Sequence, residues 1–124
     1  MLSLGIHRML DAFARHTVQA EFRFDTGAPL VVSVTFLVEG TPRSTWLIGR
    51  DLLYQGLFWI SGLGDVQVWP AHLDERTTAW LRLDSHDLTA LFEMPAPPLA
   101  EWLGHSYELV PAGTEMEGLD WDEP

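Results

Sequence analysis

The sequence predicts an α+β domain in which a run of strands is followed by a short helix, an order that occurs twice. Three observations carry this reading. Apolar and polar residues alternate through most of the chain. Only two stretches, beginning near Arg50 and Pro97, break into helical spacing, and each meets a glycine soon afterwards. The length, 124 residues, suits one domain spanning 1–124 and is too short for two.

The elements follow in order. Gly5 to Thr17 is ambiguous: Ile6, Met9, Leu10 and Phe13 fit a helical face, while Leu4, Ile6, Arg8, Leu10 and Ala12 fit a strand loosely. Val18, Ala20, Phe22 and Phe24 then share one face of a half-buried strand. Thr26-Gly27-Ala28-Pro29 turns the chain into Leu30 to Val38, with Val32, Val34, Phe36 and Val38 on one side. After Glu39-Gly40-Thr41-Pro42, Ser44 to Ile48 makes a further strand. Arg50 to Gln55 has helix formers, and Gly56 is expected to stop this helix in a left-handed cap. Alternation resumes from Gly64 to Pro70 with Val66 and Val68 inward, and proline ends it because it cannot donate to a ladder. Thr77 to Leu83 and Asp87 to Met94 are two more strands around a turn at Ser85-His86. Pro97-Pro98 opens the second helix, where proline is tolerated, and Gly104 is expected to close it. Residues 106–124 read as an acidic tail, either lying across the body or disordered beyond Met116.

Composition narrows the function. There are eighteen acids, seven arginines and no lysine, for a formal charge of −11. Such a charge works against nucleic acid and anionic membranes, because each phosphate contact needs a cation to displace counterions. No cysteine is present, which excludes disulfides and thiolate metal sites. No apolar run is long enough to span a bilayer, so no direct membrane insertion is expected, and a cytoplasmic location is.

No catalytic constellation is visible. Gly62-Leu63-Gly64 is no phosphate loop: a helix precedes the glycines and a strand follows, and Asp65 puts an anion where phosphate would sit. His7, His16, His72, His86 and His105 show no metal-ligand spacing, and His72, Asp74 and Glu75 read as a solvated hairpin loop. Asp84, Asp87 and Glu93 read as ordinary acids flanking a hairpin. Phe22-Arg23-Phe24 resembles a base-stacking pattern, but period 2 puts both phenylalanines on the core face. No cofactor, no metal and no enzymatic activity are expected.

Several stretches together resemble the SsgA-like proteins, sporulation and cell-division factors of filamentous actinobacteria. "EFRFDTGAPLVVSVTF" resembles a family run, with Phe24, Ala28 and Leu30 departing from it. "TWLIGRDLLYQGL" carries the family's Arg50, Asp51, Leu52, Leu53 and Gly56. "GLGDVQVWP" carries Gly62, Gly64, Asp65, Val66, Trp69 and Pro70, and "VPAGTE" is similar to a further segment. The resemblance covers about three-quarters of the chain and favours the SsgB-like branch. It implies a whirly-like fold with two antiparallel β-sheets and two short helices, and it moves the ambiguous N-terminal piece towards a strand. It further implies a non-enzymatic regulator at the cell septum, recruiting or positioning the tubulin-like division protein FtsZ, with other SsgA-like proteins as partners. The expected assembly is a homo-oligomer, a trimer, which would cover apolar residues such as Phe58, Trp59 and Trp69. Trp69 and the tail residues Asp120, Trp121 and Asp122 are candidate partner contacts; the competing readings are that Trp69 fills the core and that the tail is only solvated. The rival function on a whirly-like scaffold is single-stranded nucleic-acid binding. Such a binder needs a basic stripe, whereas the seven arginines here are scattered along the chain.

Overall fold

The structure, a computed structural model, describes residues 1–10, 14–40, 42–71, 78–86 and 88–113. Strands β1 (Leu2–Met9), β2 (Arg15–Arg23), β3 (Val31–Leu37) and β4 (Ser44–Gly49) precede helix α1 (Arg50–Gln55). Strands β5 (Ser61–Leu63), β6 (Val66–Ala71), β7 (Thr78–Ser85) and β8 (Leu88–Pro95) precede helix α2 (Ala96–Leu109). The strands-then-helix order thus occurs twice, four strands each time.

The expectation of two separate sheets is corrected. The strands form one eight-stranded antiparallel sheet in the order β4-β3-β2-β1-β8-β7-β6-β5. Its two halves are joined where β1 pairs with β8, through His7↔Glu93 and Arg8↔Phe92. The sheet is also strongly curled. Phe36 of β3 and Phe92 of β8 stack with centroids 4.7 Å apart and planes 12° apart. Between those strands lie β2 and β1, so a flat sheet would hold the rings about 14 Å apart. Curling brings the inner faces of both halves onto one core, which includes Ile6, Phe22, Val34, Leu81 and Met94. Of the inward sets expected for β2, β3 and β7, all but two residues are buried there; Val38 is half-buried at its edge, and Phe24, half-buried just past β2, packs on Arg50 instead.

Some boundaries differ from expectation. The ambiguous N-terminal piece is a strand, because β1 finds β2 as a partner from Leu2↔Phe22 to Met9↔Arg15. Strand β5 was not expected; its three residues are held by the hairpin to β6, Ser61↔Val68 to Leu63↔Val66. Helix α2 does not stop at Gly104 but runs through it to Leu109, with Ser106 2% exposed in its last turns. Residues 106–109 are therefore helix rather than tail. Leu99 and Leu103, both fully buried, supply the packing that carries a glycine through the helix interior.

The left-handed cap expected at Gly56 is corrected as well: its φ is −63°. Space, not conformation, demands glycine there, since a Cβ would lie 2.3 Å from the Cβ of Val68. Gly64 is the opposite case. Its φ is +62° with nothing within 4 Å of a Cβ, and it turns the β5–β6 hairpin. Gly64→Ala is expected to lower the unfolding free energy by about 1 kcal/mol, and Gly64→Asn by less, because asparagine tolerates the left-handed region. Urea titration checks this; equal stability of all three chains would refute it. The neighbouring β7–β8 hairpin is pinned by the Thr89 hydroxyl donating to Asp84 at 2.7 Å. That bond, with Arg82 beside it, holds the Asp84 carboxyl below its ordinary value.

Candidate protein-docking surface

A six-residue helix is not stable alone, so α1 depends on what it packs against. Leu53 is fully buried and Leu57, just beyond the helix, is 7% exposed. Arg50 opens the helix; its backbone N–H donates to the carbonyl of Leu30 at 2.8 Å. Its guanidinium is completely buried. It lies 4.0 Å from the ring centre of Tyr107 and 5.0 Å from that of Phe24. It also donates to the Ser106 carbonyl at 3.0 Å. Phe24 comes from the end of β2 and Tyr107 from α2, so one cation clamps three elements. Next to it the Tyr107 hydroxyl donates to the Asp51 carboxylate. On the far side Gly56 lets α1 sit directly on Val68 of β6.

This frame holds an aromatic row. Tyr54 meets Tyr107 and Phe58 edge-on, each at 5.2 Å, and Phe58 leads to Trp59 at 6.1 Å. Backbone bonds from Phe58 and Trp59 to the carbonyl of Gln55, both 3.0 Å, fix the turn that carries them. The row then emerges into solvent: Phe58 is 52% exposed, Trp59 59%, Ile60 73% and Leu63 80%. A groove of about 550 Å³ lies beside it, lined by Asp51, Tyr54, Gln55, Phe58, Trp59, Gly104, Tyr107 and Ala112. Consecutive exposed aromatics on a rigid base are the pattern of a contact surface.

The motif residues divide by role. Arg50, Leu53, Gly56 and Val66 build the frame, with Leu52 packed part-buried against the core. Asp51 faces the groove. Gly62 keeps β5 close to β6, where a Cβ would come within 2.9 Å of Gln67 Cγ. The Asp65 carbonyl accepts from the Asp84 N–H at 2.9 Å and ties the hairpin to β7. Pro70 stands opposite Ala79. Trp69 does not fill the core: it is half-buried and stands opposite Trp80. The structure does not bring Trp69 into the exposed row. Asp120, Trp121 and Asp122, and the loop of His72, Asp74 and Glu75, lie outside the described residues. Sequence reasoning missed Tyr54 and Tyr107 as parts of the surface. The available signal was Leu57-Phe58-Trp59-Ile60, four apolar residues in a row after a very short helix.

Among the described residues no three His, Asp or Glu side chains are placed to hold a metal ion. No described helix is long and apolar enough to cross a membrane.

Residues 18–115 match the family described as Streptomyces sporulation and cell division protein, SsgA. The chain belongs to the SsgA family. Among its relatives is the sporulation-specific cell division protein SsgB of Streptomyces coelicolor, 37% identical over 86% of this chain and 77% of that protein. SsgB of Salinispora tropica is 39% identical over 85% and 75%. A solved structure connected with SsgB mutations that correlate to longitudinal cell division during sporulation of S. coelicolor agrees at TM-score 0.87. It is 33% identical and the match covers 94% of this chain and 91% of that one. A crystal structure of an SsgA-like protein from Thermobifida fusca agrees at TM-score 0.88, with 28% identity over 96% and 87%. This SsgA-family chain therefore has its role in sporulation and cell division, and its actinobacterial relatives share its mostly antiparallel fold.

Proposed function

We propose that this SsgA-family protein is a non-enzymatic adaptor of sporulation-specific division. It acts in the cytoplasm at the septum by binding FtsZ and other SsgA-like proteins, and it assembles as a homotrimer whose contacts leave Phe58 and Trp59 free for the partner rather than covering them. The observation that carries the reading is the row Phe58-Trp59-Ile60 with Leu63, held in solvent by a frame whose residues are the motif residues. Aromatic anchors on a preorganised base lose little freedom on binding, and tryptophan is enriched at hot spots. Asp51 and Asp65, both exposed, give the neighbourhood a negative rim that suits a partner bearing arginine or lysine.

Co-sedimentation with assembled FtsZ tests this. Trp59→Ala is expected to weaken binding at least tenfold, with a melting temperature within about 2 °C of the parent, since exposed side chains contribute little to stability. Trp69→Ala and a chain ending at Met116 test the other two proposed contacts in the same assay. If the parent does not co-sediment, the FtsZ reading falls. If Trp59→Ala binds like the parent, the aromatic surface is not the contact.

A further inference from the structure

Among the described residues the curled sheet is closed at one end and open at the other. Helices α1 and α2 leave the C-terminal ends of β4 and β8 and plug that end with Leu53, Leu99 and Leu103, all fully buried. At the opposite end, where β3 passes to β4 and β7 to β8, there is a cleft of about 420 Å³ between the two halves of the sheet. Phe36 and Trp46 form one wall, and Leu83, Leu88 and Phe92 the other. Arg8 also lines the cleft, at the seam where β1 meets β8.

Arg8 is half-buried, and among the described residues its guanidinium has no ion pair or side-chain hydrogen bond. A cation beside apolar walls attracts an anion more strongly than it would in open water. Its planar fork matches a carboxylate with two parallel bonds. Ligand pockets in the mouths of curled sheets have this composition: apolar walls and one or two polar groups that set orientation. The formal charge of −11 does not forbid an anion here, because exposed charges farther than about 8 Å away are screened at physiological salt.

We infer that this cleft is a binding site for a small amphipathic carboxylate, a free acyl chain whose carboxylate pairs with Arg8 and whose tail lies between Phe36, Trp46 and Leu88. The site lies at the end of the sheet opposite α1 and α2, and it does not rest on the proposed adaptor role.

The test uses the full chain and the fluorescent probe 11-(dansylamino)undecanoate, with its methyl ester as the uncharged counterpart. The expected result is saturable one-to-one binding of the acid, weakened at least fivefold by Arg8→Gln, while the ester binds both chains alike. Ala90→Trp, which fills the cleft, is expected to abolish binding of both probes. Leu88→Arg, at a rim residue 56% exposed, serves if the tryptophan variant does not fold, and is expected to abolish ester binding. Absence of saturable binding by the parent overturns the inference, as does equal acid affinity in Arg8→Gln. Binding that survives the cleft-filling variant, or that is lost in Trp59→Ala, places the probe elsewhere and overturns it too.

Discussion

Arg50→Ala is expected to lower the melting temperature by about 10–15 °C, the loss of roughly 3–4 kcal/mol in a domain of this size. Three losses combine. The substitution leaves a cavity where a fully buried side chain stood. It removes a cation held 4.0 Å from Tyr107 and 5.0 Å from Phe24, a desolvated geometry worth about 2 kcal/mol. It also removes one of the two donors to the Ser106 carbonyl, the 3.0 Å bond from Arg50, and leaves the 2.9 Å bond from the Val110 N–H. Arg50→Lys keeps the charge but loses the planar stacking and the fork, so about half of the effect is expected. Thermal unfolding followed by near-ultraviolet circular dichroism reads both. A shift under 3 °C for Arg50→Ala would show that the clamp contributes little to holding α1 and α2 together.

Gly56→Val has the second large effect, a destabilisation of about 3 kcal/mol, through overpacking against β6. The sign of the alanine variant separates two explanations. At a helical φ of −63°, Gly→Ala with free space would stabilise by about 0.4–1 kcal/mol, by restricting the unfolded chain. Here the added Cβ meets Val68 Cβ at 2.3 Å and Cγ1 at 2.4 Å, so Gly56→Ala is expected to destabilise instead. Pairing it with Val68→Gly, which removes both of those Val68 atoms, should return part of the loss, a coupling that a double-mutant cycle measures. Additive effects of the two substitutions would mean that α1 and β6 do not meet as described. The surface reading depends on this contact as well, since the chain from Gly56 onward delivers Phe58 and Trp59 to solvent.

The candidate site was partly legible. The motif stretches pointed to α1 and the β5–β6 hairpin, and these are the elements that carry the exposed row. The sequence places Gly64 in a turn, and its φ of +62° gives the reason. Gly56 does end α1, but for room and not for a left-handed φ, and a local pattern cannot distinguish a glycine that needs φ from one that needs room. Gly104 reads locally as a stop yet lies inside α2 for a related reason. Its local cost is about 1 kcal/mol, and the burial of Leu99, Leu103 and Ser106 around it outweighs that. The N-terminal piece could not be assigned from its own residues, since Ile6 fits either periodicity. Only β2 and β8 beside it make it a strand.

What the sequence determined by itself is local and periodic. Two-residue alternation decided which faces of β2, β3 and β7 turn inward, and the run from Arg50 to Gln55 decided where the first helix forms. Tertiary structure decided whatever depends on residues far apart in the chain. The pairing of β1 with β8 turns two half-sheets into one, and the stacking of Phe36 on Phe92 curls it. Arg50 is buried between aromatic rings contributed by β2's end and α2, and Phe58, Trp59 and Ile60 are left outside because the space beneath α1 is already filled by Leu53 and Leu57. The physical reason is that a strand's period is set by its own backbone, whereas its neighbours, and which apolar side chains the core has room for, are set by packing between segments that no local pattern connects.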